Sequence, residues 1–114
     1  MRGMTPHWVL AGLLAMGMTP TLQVLGQDSA TLERRGQTLV TTNCARCHAV
    51  GRAGASPHPA APLFRTLSRK YPIEGLAEAL GQGLSVGHPD MPEFVFEPYE
   101  VGAILAYLKS IQDH

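Results

Sequence analysis

Both cysteines of this chain fall within one five-residue string, Cys44-Ala45-Arg46-Cys47-His48. A disulfide between residues three apart closes so short a loop that it removes little entropy from the unfolded chain. The rest of the sequence promises only a thin core. Arg2, an uncharged apolar run at 9–18, Pro20 and then Val24-Leu25-Gly26 have the layout of a secretory leader, with cleavage expected between Gly26 and Ala30. The apolar run is half the roughly 20 residues a spanning helix needs, so no stable membrane anchor is expected. The expected organisation is a signal peptide at 1–26 and a single domain at 27–114. A domain of that size seldom buries enough apolar surface by itself and calls for a metal or another large buried group.

Four of the five methionines precede residue 26, so Met91 is the one methionine of the processed chain. The nine acidic and nine basic residues balance, which gives no bias toward nucleic acid. They are unevenly spread. Residues 27–70 hold Arg34, Arg35, Arg46, Arg52, Arg65, Arg69 and Lys70 against Asp28 and Glu33. Residues 71–114 hold seven acidic residues against Lys109. This gives a dipole if it survives folding, and nothing if the chain folds back on itself.

Helical periodicity marks three main segments, with no strand pattern. The first is expected at about 29–49, capped by Asp28 or Ser29, with Leu32, Gly36, Leu39, Val40, Asn43 and Cys47 on one face. Gly36 costs about 1 kcal/mol relative to alanine in a helix, so it implies close approach of another helix. A short helical piece is expected at 64–70. A second helix starts near Pro72 with the stripe Ile73, Leu76, Leu80 and Leu84. The last starts at Pro98 with Val101, Ile104, Leu105, Leu108 and Ile111. The Pro- and Gly-rich stretches 50–63 and 85–97 are loops.

The spacing of CARCH has a chemical reading. Two thiols one helical turn apart can each add to a vinyl group of a porphyrin, and the adjacent imidazole then reaches the iron. This is the haem c attachment pattern. A dithiol redox centre would use the same CxxC but expects a preceding strand in a βαβ setting. A structural zinc site would need Cys44, Cys47, His48 and either His58 or His88 from scattered loops. The all-helical pattern favours haem c, one group, covalent through Cys44 and Cys47.

These residues resemble the class I cytochromes c. The resemblance covers essentially all of the processed chain, through GQTLVTTNCARCH, the methionine loop HPDMPEF and the last helix ending ILAYLKS. It implies an all-α cytochrome c fold of three main helices around one covalently bound haem. Gly36 stands where the family's terminal helices cross, with Ile104 and Tyr107 at the facing positions. His48 and Met91 match the axial iron ligands, with His88 as the competitor of Met91. A proline carbonyl should accept a hydrogen bond from His48; Pro62 is the candidate, with Pro57 and Pro59 as alternatives. Phe64, Leu67, Leu80, Leu84 and Phe94 are expected haem-wall residues.

The implied function is single-electron transfer in the periplasm, by a monomer or a subunit of a redox complex and not by an enzyme. Its expected partners are a dehydrogenase, a cytochrome complex or an oxidase. The alternative is a catalytic or sensing haem protein with an exchangeable sixth position, which a complete His48/Met91 pair would disfavour.

Overall fold

The computed structural model describes residues 3–5, 12–14, 17, 21–83 and 89–113, and of residues 21–27 the backbone alone. Leu84 and His88 lie outside the described residues. Among those described there are helices and turns and no strand. Helix α1 is Thr21–Cys44, α2 is Ala77–Gln82 and α3 is Pro98–Ser110; 3₁₀ segments occupy Phe64–Arg69 and Ile73–Leu76. The architecture is all-α, as expected.

Helix α1 begins eight residues before the expected start at Ser29. Asp28 and Ser29 therefore sit inside it and cap nothing. No proline lies between Thr21 and Cys44 to break the helix, and the one glycine in the first turns, Gly26, is tolerated. The other end stops at Cys44, short of Ala49. There the Cys44 carbonyl accepts from both the Cys47 N–H (3.2 Å) and the His48 N–H (2.9 Å), so the CARCH string forms a closing turn.

The core is the crossing of α1 and α3. Leu39 and Val40 of α1 are buried with Val101, Ala103, Ile104, Tyr107 and Leu108 of α3. Gly36 permits that approach. A Cβ at Gly36 would overlap the Ala103 carbonyl oxygen, lie 2.6 Å from the Ala103 carbonyl carbon and 2.8 Å from Tyr107 Cβ. The crossing thus rests on Ala103 and Tyr107, while Ile104 fills the seam nearby at 2 % exposure. Helix α3 starts where Pro98 can take its fixed φ at no hydrogen-bond cost, and the Glu100 carboxylate accepts from the Glu97 N–H at 3.2 Å in a capping box. Ile73 and Leu80 close the second side of the core.

Two polar residues tie the loops to α3. Gln112 donates to the carbonyls of Phe64 and Leu108, both at 2.8 Å, and accepts from the Ser68 N–H at 2.8 Å. Tyr107 donates its hydroxyl to the Val50 carbonyl at 2.7 Å. The oppositely charged halves also fold onto one another. Arg35 pairs with Glu100 (3.4 Å), and Arg65 and Arg69 pair with Asp113 (3.9 and 3.8 Å). Part of the linear charge asymmetry is therefore interleaved.

Candidate functional site

The turn that ends α1 places Cys44 on the last helical residue and Cys47 one turn later. Both are half-buried, and no disulfide joins them. Burial pushes the Cys44 thiol up to about 11. The α1 C-terminus, the negative end of the helix dipole, lies at the same place. A dithiol oxidoreductase needs the opposite arrangement, a nucleophilic cysteine with a lowered pKa, commonly at a helix N-terminus. The absence of any strand among the described residues disfavours the dithiol reading as well. Nor do three or more His, Cys, Asp or Glu side chains converge as a metal cluster among the described residues, as a zinc site would need.

His48 follows in the same turn. Its Nδ1 lies 2.8 Å from the Pro62 carbonyl oxygen. A carbonyl can only accept, so Nδ1 carries the proton and Nε2 keeps its lone pair for a metal. Such a bond fixes the ring and raises its basicity. Of Pro57, Pro59 and Pro62, it is Pro62 whose carbonyl meets the imidazole. Phe64 packs on the other side of His48, with ring centroids 4.7 Å apart and planes tilted by 40°. Its own position is set by the Phe64 N–H to Ala49 carbonyl bond at 3.0 Å.

His48 and Pro62 border a cavity of about 730 Å³. Cys44, Cys47, His48 and Pro62 form one part of its lining, and Met91, Pro92 and Phe94 from the second loop form another. The volume lies within the roughly 300–1,000 Å³ usual for cofactor sites. Two thiols, an imidazole with a free Nε2 and a thioether around one largely apolar cavity are a donor set suited to a covalent haem. Phe94 lies against Phe96, with centroids 5.9 Å apart, and Phe96 is buried in the core. The Phe96 N–H bonds to the Leu80 carbonyl at 2.9 Å and closes the base of this second loop.

The other expected wall residues are placed differently: Phe64 packs on His48 and against the core and does not line the cavity. Leu80 is buried between α2 and α3, because its helical stripe faces that seam. Leu67 packs against the core and borders a neighbouring open hollow behind Pro62. Leu84 lies outside the described residues. Thr42, Arg46, Ala60, Ala61 and Asp90, which the sequence does not mark as site residues, also line the cavity, as does Asn43, placed on the Cys47 face of the first helix. The sequence offers His58 for zinc alone. Asn43, four residues before Cys47 and on its helical face, was the one available signal.

The family described as cytochrome c oxidase, cbb3-type, subunit III matches residues 31–108. The chain is similar to cytochrome c-552 of Bradyrhizobium diazoefficiens, 30% identical over 99 residues, covering 84% of this chain and 93% of that protein. No solved structure matches. The matched region contains the attachment turn, the His48–Pro62 bond, the Met91 loop and most of α3. By this family match the chain belongs to the small bacterial class I c-type cytochromes, proteins that transfer electrons through haem c.

Proposed function

We propose that the chain is a secreted carrier of single electrons that holds one haem, bound through Cys44 and Cys47, with His48 and Met91 as its axial pair. The observation that carries this reading is that His48, with Nε2 left free, and Met91, the one methionine of the processed chain, line the same cavity. When bound there, the haem supplies an iron that cycles between Fe(II) and Fe(III). The protein's part is to hold and tune that centre. The Pro62 carbonyl makes His48 a stronger donor, while a thioether raises the reduction potential by favouring the reduced metal. Thioether attachment to Cys44 and Cys47 prevents loss of the group outside the cell.

The leader at 1–26 directs the chain to the periplasm, and cleavage would take the first residues of α1 with it. No helix among the described residues is long and apolar enough to cross a membrane. Redox proteins are the partners. The matched family's description supports an oxidase complex among the three partner types, with the chain either a free carrier or a haem subunit.

Substitution of Met91 tests the ligand assignment. The oxidised wild-type protein should show the sulfur-to-iron charge-transfer band. Met91→Ala should lose that band, lower the potential and open the iron to cyanide or carbon monoxide. An unchanged spectrum and potential in Met91→Ala would refute the assignment, and His88→Ala would then be the next variant.

A further inference from the structure

His58 is held at both faces of its peptide and at its ring. Its N–H donates to the Cys47 carbonyl at 3.0 Å, so it is anchored directly to the attachment turn. Its carbonyl accepts from the Ala61 N–H at 3.0 Å. The Ala60 N–H donates to His58 Nδ1 at 3.1 Å. An Nδ1 that accepts cannot carry the proton, so the neutral ring carries it on Nε2. That Nε2 lies 3.3 Å from Oδ2 of Asp90, 32 positions along the chain. Asp90 immediately precedes Met91, between Pro89 and Pro92. Both His58 and Asp90 line the cavity that holds Cys44, Cys47, His48 and Met91.

We propose that His58 and Asp90 form a latch across this cavity, in which the anchored imidazole of His58 holds the Met91 segment against the haem-attachment side. This proposal rests on Met91 being an iron ligand. His58 and Asp90 are positioning residues: they act on the iron through Met91. The His58 side is fixed by three hydrogen bonds to backbone groups of 47, 60 and 61. The Met91 side is stiffened by Pro89 and Pro92, which lower its entropy. A hydrogen bond from the fixed side to a carboxylate beside the ligand gives the stiff segment its address. Ligand exchange at the sixth position requires Met91 to move away, and the latch opposes that movement. The bond is partly exposed, with 31 % of the His58 and 68 % of the Asp90 side chain accessible, so its effect is modest.

The test is the rate of cyanide binding to the ferric holoprotein. Wild type, His58→Ala, Asp90→Ala, the double variant, Asp90→Asn and Met91→Ala should be compared. Each alanine variant should bind cyanide about three- to fivefold faster than wild type, the effect of one partly exposed charge-assisted hydrogen bond. The double variant should be no faster than the faster single variant, and Asp90→Asn, which keeps an acceptor, should be closer to wild type than Asp90→Ala. Thermal midpoints give a separate readout, because general loosening would lower them in step with the rates. Should His58→Ala fail to assemble, the Asp90 pair carries the comparison. If Met91→Ala is fast while Asp90→Ala matches wild type, the latch is wrong and the ligand assignment stands. If Met91→Ala is no faster than wild type, the ligand assignment fails and the latch falls with it. Additive rates in the double variant would also overturn the coupling.

Discussion

Replacing Gly36 by alanine turns the α1–α3 crossing into a question of sign. In an open helix that change stabilises by up to about 1 kcal/mol. Here the added Cβ meets backbone, which cannot rotate away: the Ala103 carbonyl carbon would be 2.6 Å distant and Tyr107 Cβ 2.8 Å. Carbon atoms settle about 3.5–4.0 Å apart, so α3 would have to retreat by about 1 Å. That retreat loosens the seam holding Val40 and Ile104, the two most deeply buried large side chains. Overpacking of this kind costs about 1–3 kcal/mol, which leaves a net loss of about 0–2 kcal/mol after the propensity gain. Gly36→Val should lose more. Gly102 on α3 is the internal control, since a Cβ there meets nothing within 4 Å. Gly102→Ala should therefore gain up to about 1 kcal/mol. Guanidinium unfolding of the holoproteins, followed by far-UV circular dichroism, reads both. If Gly36→Ala is as stable as Gly102→Ala, the close crossing is refuted.

Three further outcomes follow from the polar ties. Tyr107→Phe removes the hydroxyl that bonds to Val50 and should cost about 1 kcal/mol by denaturant unfolding. Burial raises the Tyr107 pKa above its usual 10, against a smaller opposing pull from Arg52. Its contribution is thus complete below pH 10 and is lost as pH rises through the folded value, so wild type should lose more stability than Tyr107→Phe between neutral pH and pH 11. Gln112→Ala leaves the Ser68 N–H and the Phe64 carbonyl without their partner and should cost about 1–3 kcal/mol in the same assay. Glu74 is held below the usual carboxylate range, first by its hydrogen bond to Lys109, 2.5 Å away on α3. Its small contribution is present above the ordinary glutamate range and disappears as pH falls through the lowered value, and it should shrink with added salt; a Glu74→Gln variant with the same acid profile as wild type would contradict this.

The helical pieces at 64–69 and 98–110 and the Gly36 crossing were legible because local chemistry dictates them, whereas the first helix was expected to run through CARCH to Ala49 and stops at Cys44. A CxxCH string, a proline at a helix start and an unexplained glycine each carry a short-range reason. The start of α1 was misplaced because Asp28 and Ser29 are good caps, yet nothing in the preceding residues forbids helix, and capping preference alone does not end one. The division of labour among Leu67, Leu80 and Phe94 was not legible either. Each is apolar at helical or loop spacing, and only the packing decides that Phe94 lines the cavity while Leu80 enters the core. His58 and Gln112 were hidden for a related reason. Their roles depend on partners 32 and 48 positions away, and a lone polar residue does not announce a long-range partner.

The most direct test of the account is the mass of the secreted protein, made with a working haem-maturation system, then denatured, reduced and treated with a thiol-alkylating reagent. The account predicts one species, the polypeptide from between Gln27 and Thr31 onward plus one haem, with neither Cys44 nor Cys47 alkylated. A polypeptide without haem, carrying two alkylated cysteines, would contradict it.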